Sequence, residues 1–206
     1  MIALFLSAFV SLFVVIDPPG CAPIFASLVK DADARHRRTM AIRSTVVASM
    51  ILLTFALLGQ KLLDTLGVSL DAFRIAGGIM LFLIALEMVF EKRTQRRENR
   101  VAEASREPAR EDISIFPMGI PMIAGPGSIA TMMLLMARSQ SLGENLVVLA
   151  ALATVMLLML ASLLAASAIM RIFGPKLEAM ITRVLGVILA ALATQFVIDG
   201  LRASFA

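Results

Sequence analysis

Six long apolar stretches, residues 1–29, 40–60, 73–90, 113–137, 145–170 and 181–201, run through the chain, separated by charged or turn-forming joints. A helix needs about 20 mostly apolar residues to cross the hydrocarbon core of a bilayer. With 59% apolar residues and only 17% charged ones, a soluble fold would leave most of these stretches facing water, so lipid is the solvent this chain requires. Membrane strands are excluded because the runs are continuous rather than alternating and are filled with Leu, Ala, Met and Ile. The expected fold class is an all-α transmembrane protein of six helices.

The first stretch opens Met1-Ile2-Ala3 with no basic region, and nothing before Lys30 reads as a small-residue cleavage site. It is therefore expected to stay in the mature protein as a span. A single cysteine, Cys21, allows neither an internal disulfide nor a dithiol pair, and it reads as a small packing residue. His36, the one histidine, stands among Arg35, Arg37 and Arg38. With no metal-ligand cluster and no paired carboxylates, neither a metal, a cofactor nor an enzymatic reaction is expected. No Gly-x-x-x-x-Gly-Lys-Ser/Thr pattern is present to couple the chain to ATP.

The net charge of +4 would suit nucleic acid, but the basic residues gather in short joints beside apolar spans. Lys30, Arg35, Arg37 and Arg38 occupy the first joint; Lys92, Arg93, Arg96, Arg97, Arg100, Arg106 and Arg110 the third; Arg171 and Lys176 the fifth. Joints two and four hold only Lys61 and Arg138, and the tail only Arg202. The positive-inside rule makes the odd joints cytoplasmic and both termini periplasmic, in a multi-pass protein of a bacterial inner membrane. Trp and Tyr are absent, so the usual interfacial aromatic belt is missing.

Two patterns recur. Ile16-Asp17-Pro18-Pro19-Gly20 returns as Ile123-Ala124-Gly125-Pro126-Gly127, and Arg74-Ile75-Ala76-Gly77 returns as Arg183-Val184-Leu185-Gly186, each of the latter pair opening a small-residue helix that ends in an acid, Glu87 or Asp199. Together they divide the chain into a three-helix repeat over 1–90, a charged cytoplasmic linker over 91–112 and a second three-helix repeat over 113–206. An odd number of spans per repeat makes the two enter the membrane in opposite directions.

Pro18 and Pro19 remove two amide donors and clash with a continuing helix, and Gly20 loosens the backbone further. The helix is expected to break there and restart, with Asp17 as N-cap and Pro18 in the first turn. Gly125-Pro126-Gly127-Ser128 offers the same break in the second repeat, with Ser128 as the polar group at the restarting end. Irregular backbone at membrane depth is tolerated only when buried in protein or lining a cavity. Two facing breaks with restarting helices therefore suggest a midplane cavity in which amide donors and positive dipole ends meet a carboxylate or another anion.

The motifs Asp17-Pro18-Pro19-Gly20 with Pro23-Ile24-Phe25, Arg74-Ile75-Ala76-Gly77-Gly78-Ile79, Pro117, Pro121 and Gly125-Pro126-Gly127 with Thr131, and Arg183 with Gly186 and Gln195 to Gly200 resemble the MarC family of integral membrane proteins. The resemblance covers nearly the whole chain outside 91–112. It implies six helices in two inverted three-helix repeats and a transport role, since some members are described as small neutral amino-acid transporters. Asp17 and Thr131 match positions of its two motifs.

Three classes of function stay open: a secondary transporter of a small solute, a non-transporting scaffold or regulator, and an intramembrane enzyme, which would have little chemistry to work with. The first is favoured. Its substrate site would be Asp17, Pro18, Pro19, Gly20, Gly125, Pro126, Gly127, Ser128 and Thr131, with Arg74, Glu87, Arg183 and Asp199 as coupling or structural charges. The plainer readings are that Asp17 only caps a helix, that the arginines snorkel to the interface, and that Glu87 and Asp199 are interfacial. Gly77, Gly78, Gly186, Ala190, Ala191 and Ala193 read as surfaces for close helix packing. Membrane lipid and a small-molecule substrate are the expected partners; proton or sodium coupling and a homo-oligomer are left open, and nucleic acid is not expected.

Overall fold

The computed structural model describes residues 1–30, 32–90, 92 and 112–205, with backbone alone for 170–178. Every element is helical: α1 (Ile2–Ile16), α2 (Pro18–Leu28), α3 (Ala34–Thr65), α4 (Leu70–Val89), α5 (Ser114–Ile123), α6 (Pro126–Arg138), α7 (Leu142–Leu164) and α8 (Ala166–Phe205). Among the described residues, five helical stretches are long and apolar enough to cross a membrane: Ile2–Leu28, Ala34–Thr65, Leu70–Val89, Leu142–Leu164 and Ala179–Phe205. Counted as one span, α5 and α6, bent by 55° at their junction, bring the total to six.

Helix ends follow local chemistry. Asp33, Ser69 and Ser141 each accept a bond from the amide three residues on, at His36, Ala72 and Glu144. Each thereby satisfies an otherwise unpaired donor of the first turn. After α3, Gly67 takes φ 68. The amide of Val68 then reaches Leu63 O at 3.0 Å and that of Gly67 reaches Asp64 O at 3.1 Å, the left-handed glycine stop that closes many helices.

Close contacts set the relative directions. A Cβ on Gly119 would meet Val47, and one on Gly59 would meet Met133, so residue numbers rise together and α5 with α6 runs parallel to α3. Along α4 and α8 they run in opposition: Gly200 sits against Asp71 and Arg74, Gly78 against Ala193 and Val197, and Gly186 against Ala85, Met88 and Val89. Glycine lets these two backbones approach closely, as expected of small residues between membrane helices. Met1 lies near Gly143 and Phe25 near Leu163, so α1 with α2 runs parallel to α7.

The main core gathers Leu12, Ile16, Phe25, Leu52, Met118, Ile123, Met132 and Met159 from four spans, and a smaller one joins Val15, Leu81, Leu134, Leu189 and Phe196. The opposite faces carry exposed apolar rows: Val46, Met50, Leu53 and Leu57 on α3, and Ile79, Leu83 and Leu86 on α4. Rows at helical spacing with no protein cover would be an aggregation surface in water. In a bilayer they are the lipid-facing side.

Some boundaries depart from expectation. The second span begins at Ala34 rather than 40 because the Asp33 cap starts the helix early, so Arg35, Arg37 and Arg38 stand in its first turns. The expected joint between 170 and 181 is helical backbone; the turn falls at Ala165, where the sequence carries no breaker, while Gly174-Pro175 sits inside α8. The side chains of Arg171 and Lys176 lie outside the described residues. So does the linker at 91–112, apart from Lys92 and Asp112.

Candidate functional site

The first break is built from four consecutive residues. Asp17 ends α1 with φ 58 and ψ 64, the left-handed region, while its amide still donates to Phe13 O. Among L residues other than Gly, Asp and Asn tolerate this region best. Pro18 and Pro19 start α2, where their missing N–H groups cost least. The amide of Gly20 donates to Asp17 Oδ1 at 3.1 Å, so it does not continue the α1 ladder to Ile16. The Cys21 thiol lies 3.7 Å from that Ile16 carbonyl oxygen instead. A Cβ on Gly20 would overlap the Asp17 carboxylate, so the capping geometry requires glycine at this position. The result is a carboxylate with 0% exposure at the centre of a spanning segment.

The second break is made differently. α5 is loosely wound, with extended backbone at Phe116 and Ile120, each preceding a proline. Gly125 caps α6 with φ −84 and ψ 170 and no side-chain bond; Pro126 follows in the first turn. Ser128, the polar group at the restarting end, is buried two positions into α6 and does not cap it. The Thr131 hydroxyl is fully buried and donates to Gly127 O at 2.8 Å.

The two breaks come together. A Cβ on Gly127 would meet Val15 near the end of α1 and both Leu81 and Ile84 of α4. Ile16, Cys21, Ala22, Ile123 and Ala124 belong to one buried cluster. Asp17, Gly20, Gly125, Gly127, Ser128 and Thr131 are thus all buried around one junction; Pro19 is partly covered and Pro126 exposed.

The four charges are not at this junction. Arg74 Nη1 pairs with Asp71 Oδ1, one turn back on its own helix, at 2.8 Å. Asp199 pairs with Arg138 at the end of α6 and accepts from Gln195 Nε2 at 2.7 Å. The Arg138 guanidinium also lies 4.4 Å from the Phe196 ring centroid, within cation–π range. Gly200 against Arg74 puts these groups at one end of the bundle. Half-buried Glu87 and exposed Arg183 stand at the other end, where Gly186 meets Ala85 and Met88. Arg74 thus pairs within its own helix, whereas Asp199 meets an arginine from another helix.

Sequence reading passed over Asp71 and Arg138, the latter taken only as a topology charge. It also passed over Ser44, whose fully buried hydroxyl has no hydrogen-bond partner among the described residues. Outside the spans, the Asp112 carboxyl lies below the usual carboxylate range because the Ser114 hydroxyl and amide donate to it; Arg43 at 3.1 Å adds to this. Among the described residues, no three His, Cys, Asp or Glu side chains gather as metal ligands do.

The chain matches the family profile described as MarC family integral membrane protein over residues 2–205. It is 35% identical to a UPF0056 membrane protein of Methanocaldococcus jannaschii, over 96% of each chain. It is also 35% identical to the UPF0056 inner membrane protein YhgN of Escherichia coli, over 96% of this chain and 95% of that one. A UPF0056 membrane protein of Aquifex aeolicus is 31% identical over 97% of this chain and 92% of its own. No solved structure matches it.

Proposed function

The chain belongs to the MarC family of integral membrane proteins, and from that premise we propose that it is a secondary transporter of a small solute, with small neutral amino acids as the favoured class. The observation that carries this reading is the fully buried Asp17 carboxylate at a helix break that packs beside a second break. A carboxylate at membrane depth is costly and by default functional. The restarting α6, which has no side-chain cap, turns its Gly127 and Ser128 amides to a substrate carboxylate, and Asp17 suits the substrate's ammonium group or a coupling proton.

Two inverted three-helix repeats fit the contacts. Exchanging the halves turns the pairing of α3 with α5 and α6 into that of α7 with α1 and α2, and maps antiparallel α4 and α8 onto each other. Alternating access would rock one repeat on the other about the two breaks. The present arrangement, with the break residues buried, fits an occluded state. The relative named as an inner membrane protein supports the same location for this chain.

The test is flux through purified protein in proteoliposomes with labelled glycine, alanine and serine. Uptake above protein-free vesicles is expected. Asp17→Asn keeps the cap and removes the charge, so it should weaken apparent affinity by about one to two orders of magnitude, the size of a charge-assisted contact, at unchanged melting temperature. A folded protein with no flux for any of these solutes would leave the scaffold reading in its place.

A further inference from the structure

At the basic end of the bundle, a half-open hollow of about 300 Å³ lies where α2 and α7 end and α3 and α8 begin. Its floor is apolar, from Phe25, Val29 and Leu163, and its polar rim consists of Arg37, Arg38 and Ser167; among the described residues no acid lines it. Arg37 Nη1 and Ser167 Oγ are 3.5 Å apart, at the limit of a hydrogen bond. Both can reach a common acceptor placed between them.

Two other hollows sharpen the point. One of about 210 Å³ occupies the corresponding place at the other end, beside the end of α6 and the start of α7, and its polar residues are Gln60, Ser139 and Asn145, all uncharged. The same packing therefore makes a hollow without needing arginine, so charge at the basic end is an addition to the fold rather than a requirement of it. A wider hollow of about 470 Å³ near the start of α3 does hold cations, but Asp33 and Asp112 line it too, and Asp112 pairs with Arg43. Among the described residues, cations without a lining acid stand above an apolar floor only at the first of these three hollows.

We propose that this hollow binds the phosphodiester headgroup of an anionic phospholipid, held by Arg37, Arg38 and Ser167, with its glycerol and upper acyl carbons on the Phe25, Val29 and Leu163 floor. Guanidinium matches phosphate geometry with paired donors. The positive-inside rule sets this end in the cytoplasmic leaflet, whose anionic lipids attract basic residues beside membrane helices. The binding is independent of whether the central breaks carry a solute.

The whole protein, purified in mild detergent, is titrated with phosphatidylglycerol, with phosphatidylcholine of the same chains, and with inorganic phosphate, and retained lipid is counted by native mass spectrometry. Phosphatidylglycerol should be retained in preference to phosphatidylcholine. Arg37→Gln and Arg38→Gln should each weaken retention about fivefold, and the pair on the order of 25-fold, from the usual contribution of one cation at an anionic surface. Arg35→Gln removes the same charge at the same end but outside the hollow, and should leave retention unchanged. Melting without lipid checks folding, and the single variants carry the test if the double variant does not fold. Equal retention of phosphatidylcholine, an equal loss in Arg35→Gln, or displacement of the lipid by millimolar inorganic phosphate would each overturn the assignment.

Discussion

The two breaks interrupt their spans by different means. At the first, a side chain does the work: Asp17 adopts φ 58, caps α2 through the Gly20 amide and buries its carboxylate. At the second, the backbone does it: α5 is wound irregularly through Pro117 and Pro121, and Gly125 caps α6 with no side-chain bond. A broken span needs no acid, since the second has none, so the buried carboxyl group at the first is more than a break requires. That asymmetry is the basis for assigning the positive end of a substrate, or a proton, to the first break.

The largest effect should come from Asp17→Ala. It removes a cap worth about 1 kcal/mol and places alanine in the left-handed region at a cost of about 1–2 kcal/mol. Melting should fall by roughly 4–12 °C on the usual 2–4 °C per kcal/mol for chains of this size. Ser128→Ala, at the second break, should fall by clearly less, because Ser128 caps nothing; an equal drop would erase the distinction between the breaks.

Next come the glycines. Gly20→Ala and Gly125→Ala should each cost about 1–3 kcal/mol as overpacking, but against different atoms. The first collides with the Asp17 carboxylate and the second with the Pro121 carbonyl oxygen. In a double-mutant cycle, Asp17→Ala should therefore relieve part of the Gly20→Ala penalty and none of that at Gly125. Additivity at both sites would mean that the carboxylate is not what demands glycine at position 20.

A smaller effect is expected at the far end of α6. Arg138→Gln removes a partly exposed ion pair with Asp199 and the contact with Phe196, together about 1 kcal/mol. Thermal melting of Arg138→Gln beside Asp199→Asn measures it, and the two losses should be similar if the pair is the shared cause.

The smallest effect is pH-dependent and belongs to the entrance of α5. The Asp112 carboxyl is depressed by donation from Ser114, with Arg43 adding to it. Its stabilisation is therefore fully present above the ordinary carboxylate pKa and lost as pH falls through the lower folded value. Asp112→Asn should flatten the acid limb of the melting-temperature profile slightly; an unchanged limb would show that these bonds do not survive in solution.

Much of this was legible in the sequence. Pro18 and Pro19 lack amide hydrogens wherever they are placed, so a break at Asp17 followed from covalent structure, as did its capping by an acid. The stop at Gly67 and the starts at Asp33, Ser69 and Ser141 carry equally local signals. That Ser128 would lie in the first turn of α6 was legible too, but not that Gly125, in extended conformation, would serve as the cap. The turn at Ala165 left no mark, since nothing in Ala165-Ala166-Ser167 differs from residues within the neighbouring helices.

The spans, the helical class, the two breaks and the small-residue helix faces were decided by the sequence, because each depends on a residue's own chemistry, its near neighbours in the chain and the solvent around it. Tertiary structure alone decided that Asp199 meets Arg138 rather than Arg74, that Gly127 seats against Val15 and Ile84, and that Arg37 and Ser167, 130 positions apart, share one hollow. Those outcomes depend on how long helices cross and slide against one another. Several charges of each sign stood within plausible reach in the sequence, and only the packed helices selected which of them met.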